Sequence, residues 1–119
     1  MTQHLDLHAI RQSLAEQRAA ILERIRADEV KLRSRAETNI DPLDLAQDYV
    51  SRAQRSARLT QSRQQLEQVE AALWRLDEGT YGTCVECGEA IPPARLRVLP
   101  YARLCIRCQE RQERKAVSH

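Results

Sequence analysis

The chain has 119 residues, 42% of them hydrophobic, but it holds no Phe, one Trp and three Tyr, so a large globular core is not expected. Charged residues make up 30% in mixed order and the net charge is +2, which suits long solvated helices and argues against the basic stripe of a nucleic-acid binder. No segment has the roughly 18 consecutive apolar residues needed to span a bilayer, and the N-terminus lacks a signal-like apolar run, so a cytoplasmic protein is expected.

The first predicted element is a helix over residues 5–37. Leu7, Ile10, Leu14, Ile21, Ile25 and Leu32 recur at spacings of three, four or seven, and the segment contains neither Gly nor Pro. A turn follows, with its tip at about residues 38–46, including the run "DPLDLA" at 41–46. Asp41 is placed to cap the next helix, Pro42 suits the first helical position, and Asp44 puts negative charge in the first turn.

The second predicted helix covers residues 42–78 and ends at Gly79, a natural C′ residue. Leu66, Val69, Leu73 and Leu76 form its seam at the C-terminal end, and the continuation toward the tip is read as Ala46, Tyr49, Ala53, Ser56 and Thr60. Such small residues would make a thin tip-side pairing. Trp74 is expected to pack where the helices meet the following module, because Trp is usually well buried. Two long helices joined by a short turn predict a mainly α fold, an antiparallel coiled-coil hairpin about 50 Å long over residues 1–78. A bundle completed by dimerisation is the alternative on periodicity alone.

Residues 79–119 change character. All three glycines, three of the four prolines and all four cysteines lie between 79 and 108, and residues 109–119 read as a short exposed helix. Cys84 and Cys87, then Cys105 and Cys108, form two CxxC pairs separated by 17 residues. Two residues between thiolates let one tight turn present both sulfurs to one ion, and a second pair completes a tetrahedron at about 2.3 Å per Zn–S bond. Four thiolates fill the coordination sphere, so one structural zinc is expected. Gly88 is read as taking positive φ in the first turn. His4, His8 and His119 have no ligand spacing and are read as solvated.

The run "VEAALWRLDEGTYGTCVECGEAIPPARLRVLPYARLCIRCQE" at residues 69–110 resembles the zinc-finger signature of the DksA/TraR family, and "DPLDLA" is similar to that family's hairpin-tip motif, Asp-x-x-Asp-x-Ala. The resemblance implies a bacterial transcription regulator that binds RNA polymerase, inserts the hairpin into the secondary channel, and acts without binding DNA. It implies that Asp41, Asp44 and Ala46 modulate the polymerase, with Arg95 and Arg97 as possible contacts to it, and it favours a monomeric hairpin over the bundle. Alarmone-responsive members carry basic residues where this chain has Gln61, Gln65, Gln68, Leu99 and Gln109, so weak or absent response to guanosine tetraphosphate is expected. A zinc-finger DNA-binding or protein-adaptor module is the alternative function. No pocketed nucleophile, general base or open metal position suggests an enzyme.

Overall fold

The computed structural model describes residues 5–34 and 41–117. Four helices follow in order: α1 (Leu7–Arg33), α2 (Pro42–Glu78), α3 (Pro93–Val98) and α4 (Ile106–Val117). Among the described residues the only β pairing is an isolated antiparallel bridge between Thr83 and Ala90. The fold is mainly α, as the periodicity predicts, and no described helix is long and apolar enough to cross a membrane.

The helix limits follow from local chemistry. Asp6 Oδ1 accepts the Ala9 backbone N–H at 3.1 Å, so Asp6 caps α1 and the helix starts two residues later than its apolar pattern suggests. At the far end the Ser34 N–H reaches the Val30 carbonyl at 3.0 Å; the expected continuation through 37, and the turn residues 38–40, lie outside the described residues. Helix α2 has the expected limits. Asp41 Oδ1 accepts the Asp44 N–H at 2.9 Å, Pro42 occupies the first helical position, and Gly79 at φ +78° ends the helix, with the Thr80 N–H bonded back to the Arg75 carbonyl at 2.9 Å.

The described residues form two compact units, one comprising the stretches up to Gln17 and from Gln68 onward, the other Arg18–Glu67. In the second unit α1 and α2 run antiparallel: contacts pass from Arg24–Gln65 to Asp28–Arg58 to Leu32–Arg52. Ile21, Ile25 and Leu59 are its buried apolar residues, with Ser62 and Asp28 buried beside them.

The tip-side seam of α2 differs from its expected register. Ala46, Tyr49, Ala53, Ser56 and Thr60 are all exposed. The inward positions are Asp48, Arg52, Arg55, Leu59 and Ser62, which continue the four-three spacing backward from Leu66 and Val69. The reason is electrostatic: Asp28 of α1 is buried, and arginines of α2 turn inward to meet it.

In the first unit Leu14, Val69 and Ala72 are buried, and Arg11 pairs with Asp77 at 2.7 Å. The module that follows α2 has a small core of Ile91, Leu96, Ala102 and Leu104 together with Cys84 and Cys108, with Leu5, Tyr81 and Leu99 packed against it. Tyr81 anchors the loop before α4, its hydroxyl donating to the Pro100 carbonyl at 2.8 Å. Trp74 is not packed at this junction: it is 61% exposed. Ala72 and Arg75 take the buried positions on either side, and the roughly 100° step per residue of a helix carries Trp74 off that face.

Candidate metal centre

The backbone assembles the four-thiol site. The first CxxC pair lies on a tight loop closed by the Cys84 N–H on the Glu89 carbonyl at 2.8 Å and the Gly88 N–H on the Cys84 carbonyl at 3.0 Å. Gly88 adopts φ +78°, the left-handed conformation expected just after the pair. The second pair straddles the start of α4, where Cys105 precedes the helix and its carbonyl accepts the Gln109 N–H at 2.9 Å, leaving Cys108 in the first turn. A bond from the Val85 N–H to the Arg103 carbonyl, 2.9 Å, ties one pair's loop to the chain entering the other.

All four sulfurs lie within 4.8 Å of one another, and the Cys87 and Cys105 sulfurs are 3.8 Å apart. A regular tetrahedron with Zn–S bonds of about 2.3 Å has edges of about 3.8 Å, so the cluster fits one zinc ion. Cys84 and Cys108 are buried and Cys87 is exposed. Burial opposes ionisation of Cys84, but the backbone amides of Cys87, Cys105 and Glu86 outweigh it and bring this thiol down to about 6. Burial, reinforced by the neighbouring thiols, pushes Cys108 up to about 12. The backbone amide of Cys108 lowers Cys105 as well, and filling the site with a cation releases protons from the thiols that still hold them.

The remaining expected site residues lie elsewhere. Asp41, Asp44 and Ala46 are exposed at the start of α2. Around them Leu43, Leu45, Tyr49 and Val50 are also exposed, Leu43 and Val50 on one side of α2 and Leu45 and Tyr49 on another. Leu43, Leu45 and Val50 lie off the expected seam, whereas Tyr49 belongs to it.

Gln68, Leu99 and Gln109, spread over 42 sequence positions from 68 to 109, are brought together in an open cavity of about 530 Å³ beside the module. Arg75, Arg95 and Arg103 also line it, a basic contribution that matching only the alarmone stretches misses. Each guanidinium has a partner within the protein: Arg75 with the Tyr101 and Ala102 carbonyls at 3.4 and 3.5 Å, Arg95 with the Leu104 carbonyl at 3.2 Å, and Arg103 with the Gln112 side chain at 3.5 Å. Arg97 is exposed on α3.

A pair of long antiparallel helices leading into a four-cysteine module defines a class of zinc-dependent helical-hairpin proteins. Residues 79–114 match the family model of the prokaryotic dksA/traR C4-type zinc finger. Over 113 residues the chain is 32% identical to the RNA polymerase-binding transcription factor DksA of Caulobacter vibrioides, covering 95% of this chain and 80% of that protein. It is 31% identical over 115 residues to an uncharacterized protein of Aquifex aeolicus, covering 92% and 78%. The structure of transcription factor DksA2 from Pseudomonas aeruginosa superposes with a TM-score of 0.78 at 35% identity, over 92% of this chain and 84% of that one. The chain belongs to the DksA/TraR family.

Proposed function

We propose that this protein is a bacterial transcription regulator that binds RNA polymerase and works by inserting its helical tip into the secondary channel. The observation that carries the reading is the start of α2, where Asp41 and Asp44 stand exposed among the exposed apolar residues Leu43, Leu45, Tyr49 and Val50. Exposed apolar side chains in the first two turns of α2 favour a protein partner, and the acids add charge suited to basic groups or a bound divalent ion in that partner. The Caulobacter relative, whose name records polymerase binding, aligns across almost the whole chain and supports the same partner.

In this reading Asp44 and Ala46 act on the polymerase, and Asp41 both caps α2 and contributes charge. Arg95 and Arg97 contact the channel rim. Cys84, Cys87, Cys105 and Cys108 hold one structural zinc that fixes the module. The protein acts in the cytoplasm as a monomer, does not bind DNA itself and is not an enzyme. Guanosine tetraphosphate contributes little, because Gln68, Leu99 and Gln109 supply no charge to the cavity and the arginines there are already engaged by backbone and side-chain oxygens.

Transcription in vitro with purified polymerase at a ribosomal promoter, with and without alarmone, tests this reading. Competition for polymerase binding is measured in parallel. Asp44→Asn should retain binding and lose regulation. Regulation that survives this change would reduce the acid to a helix-start residue, and binding to promoter DNA without polymerase at physiological salt would replace the proposal with a DNA-binding one.

A further inference from the structure

We infer that the buried carboxylate of Asp28, held between Arg55 and Arg58, sets the axial register of the tip-side hairpin and so positions the acidic tip, the second half of this statement resting on the function proposed above. Asp28 is 3% exposed. Arg58 grips it from α2 with both arms of the guanidinium, Nε to Oδ2 at 3.0 Å and Nη2 to Oδ1 at 2.7 Å. Arg55 approaches the same Oδ1 with Nε at 3.6 Å, and no other hydrogen-bond partner satisfies that buried nitrogen. A two-pronged carboxylate–guanidinium pair is directional, whereas apolar packing tolerates sliding.

The surrounding seam gives this directionality its importance. Among the described residues, α1 has no buried apolar side chain after Ile25, and α2 has none before Leu59. Among the described residues from Asp28 toward the tip, Leu32 is half-buried, and the contacts that join the helices directly include polar ones. Beside the central cluster, Arg63 reaches Glu29 at 2.8 Å, and Arg52 donates to the carbonyls of Leu32 and Ser34 at the end of α1. Arg52 thus satisfies orphan carbonyls of one helix from the other and places a cation at the negative end of the α1 dipole.

Sliding by one seam layer is opposed in either direction. Toward the base, Asp28 would face Leu59 and Ser62, losing Arg55 and the present two-pronged geometry with Arg58. Toward the tip, Asp28 would keep arginines, now Arg52 and Arg55, but Asp48 and Tyr49 would arrive at the end of α1 in place of Arg52. A carboxylate would then meet the negative helix terminus. Buried polar groups at helix–helix seams are best attested as devices that fix register at some cost in stability, and this cluster has that arrangement. Asp28 is therefore a positioning residue: buried in the seam, it acts through the placement of Asp41 and Asp44.

Spin labels on p-acetylphenylalanine, introduced at the exposed positions Ala20 and Gln54 of the full chain, test the inference without disturbing the zinc thiols. The unaltered seam should give one narrow inter-label distance distribution. The pair Asp28→Leu with Arg55→Leu makes an apolar layer able to keep the helices together; it should retain helicity but broaden the distribution or add a population displaced by about 5 Å, one helical turn. Asp28→Asn, which keeps the shape and removes the charge, should broaden it too, and Asp28→Glu should largely restore a single register. With polymerase, the Leu pair should bind within about threefold of the parent while its maximal transcription effect falls at least fivefold.

A single narrow distance in both the Leu pair and Asp28→Asn would overturn the register role. A broadened distance with full regulation would overturn the positioning role. An unaltered protein that shows one narrow distance but does not affect transcription would defeat the proposed function and leave the register result standing.

Discussion

Leu96 is fully buried in the core of the zinc module, where among the described residues only Ile91, Ala102 and Leu104 join it as buried apolar residues that are not cysteine. Its side chain packs close to Gly82, its Cδ1 lying 3.6 Å from where a Cβ on that glycine would stand. Leu96→Ala should cost about 3 kcal/mol, within the roughly 2–5 kcal/mol range for deleting a buried leucine side chain. So small a core leaves folding of the module coupled to the metal, so the lost packing should appear as lost zinc affinity. At about 1.4 kcal/mol per tenfold, zinc should bind roughly a hundredfold more weakly. Competition with a chromophoric chelator at fixed pH measures this, with circular dichroism of metal-free and metal-loaded protein alongside. An affinity within twofold of the parent would refute the reasoning, because it would mean that the module is already folded without metal and that packing acts equally on both states.

Asp41→Ala should remove the 2.9 Å bond to the Asp44 N–H and cost about 1 kcal/mol, seen as faster amide exchange in the first turn of α2; Asp44→Asn should leave that bond intact because it uses the backbone N–H. The Arg58 hydrogen bonds, opposed by burial and helped by the nearby charges of Arg58, Arg55 and Lys31, hold the Asp28 carboxyl below the usual carboxylate range. Its contribution should be complete above about pH 4, where the unfolded group is ionised, and disappear as pH falls through the lower folded value, so helicity should decline more steeply with acid in the parent than in Asp28→Asn. Trp74→Ala should change stability by no more than about 0.5 kcal/mol, and parent fluorescence should show the emission of a solvated indole, since Trp74 is exposed.

The parts of the fold legible in the sequence were those specified by short-range chemistry. Pro42 and Gly79 mark the limits of α2, and Asp41 caps it through a bond spanning three residues. The four-cysteine cluster was legible because CxxC spacing restricts where each pair of sulfurs can point. The tip-side seam was misread because hydrophobic periodicity detects apolar residues, whereas Arg52 and Arg55 turn inward. Asp28 and Arg58 are 30 residues apart, and nothing local announces their contact. Trp74 was misplaced for a related reason: the general tendency of indole to be buried says nothing about which way one helix position points. The resemblance singles out Arg95 as a polymerase contact, but its grouping with Arg75 and Arg103 was not legible, because the three come from separate stretches that only the folded chain brings together.

The composition of the compact units also bears on synthesis. Leu5 packs against the core formed by Ile91, Leu96 and Leu104, and Arg11 pairs with Asp77, so residues near the start of the chain find their partners among residues made near its end. Arg18–Glu67, by contrast, contains both sides of its own pairing. As the chain leaves the ribosome, this middle segment can close while the earliest residues are still waiting. The unit containing the four cysteines cannot close until the second CxxC pair has emerged. Zinc capture therefore comes after the middle segment is complete, and a ribosome stalled before Cys105 would hold a closed middle segment without a finished metal site.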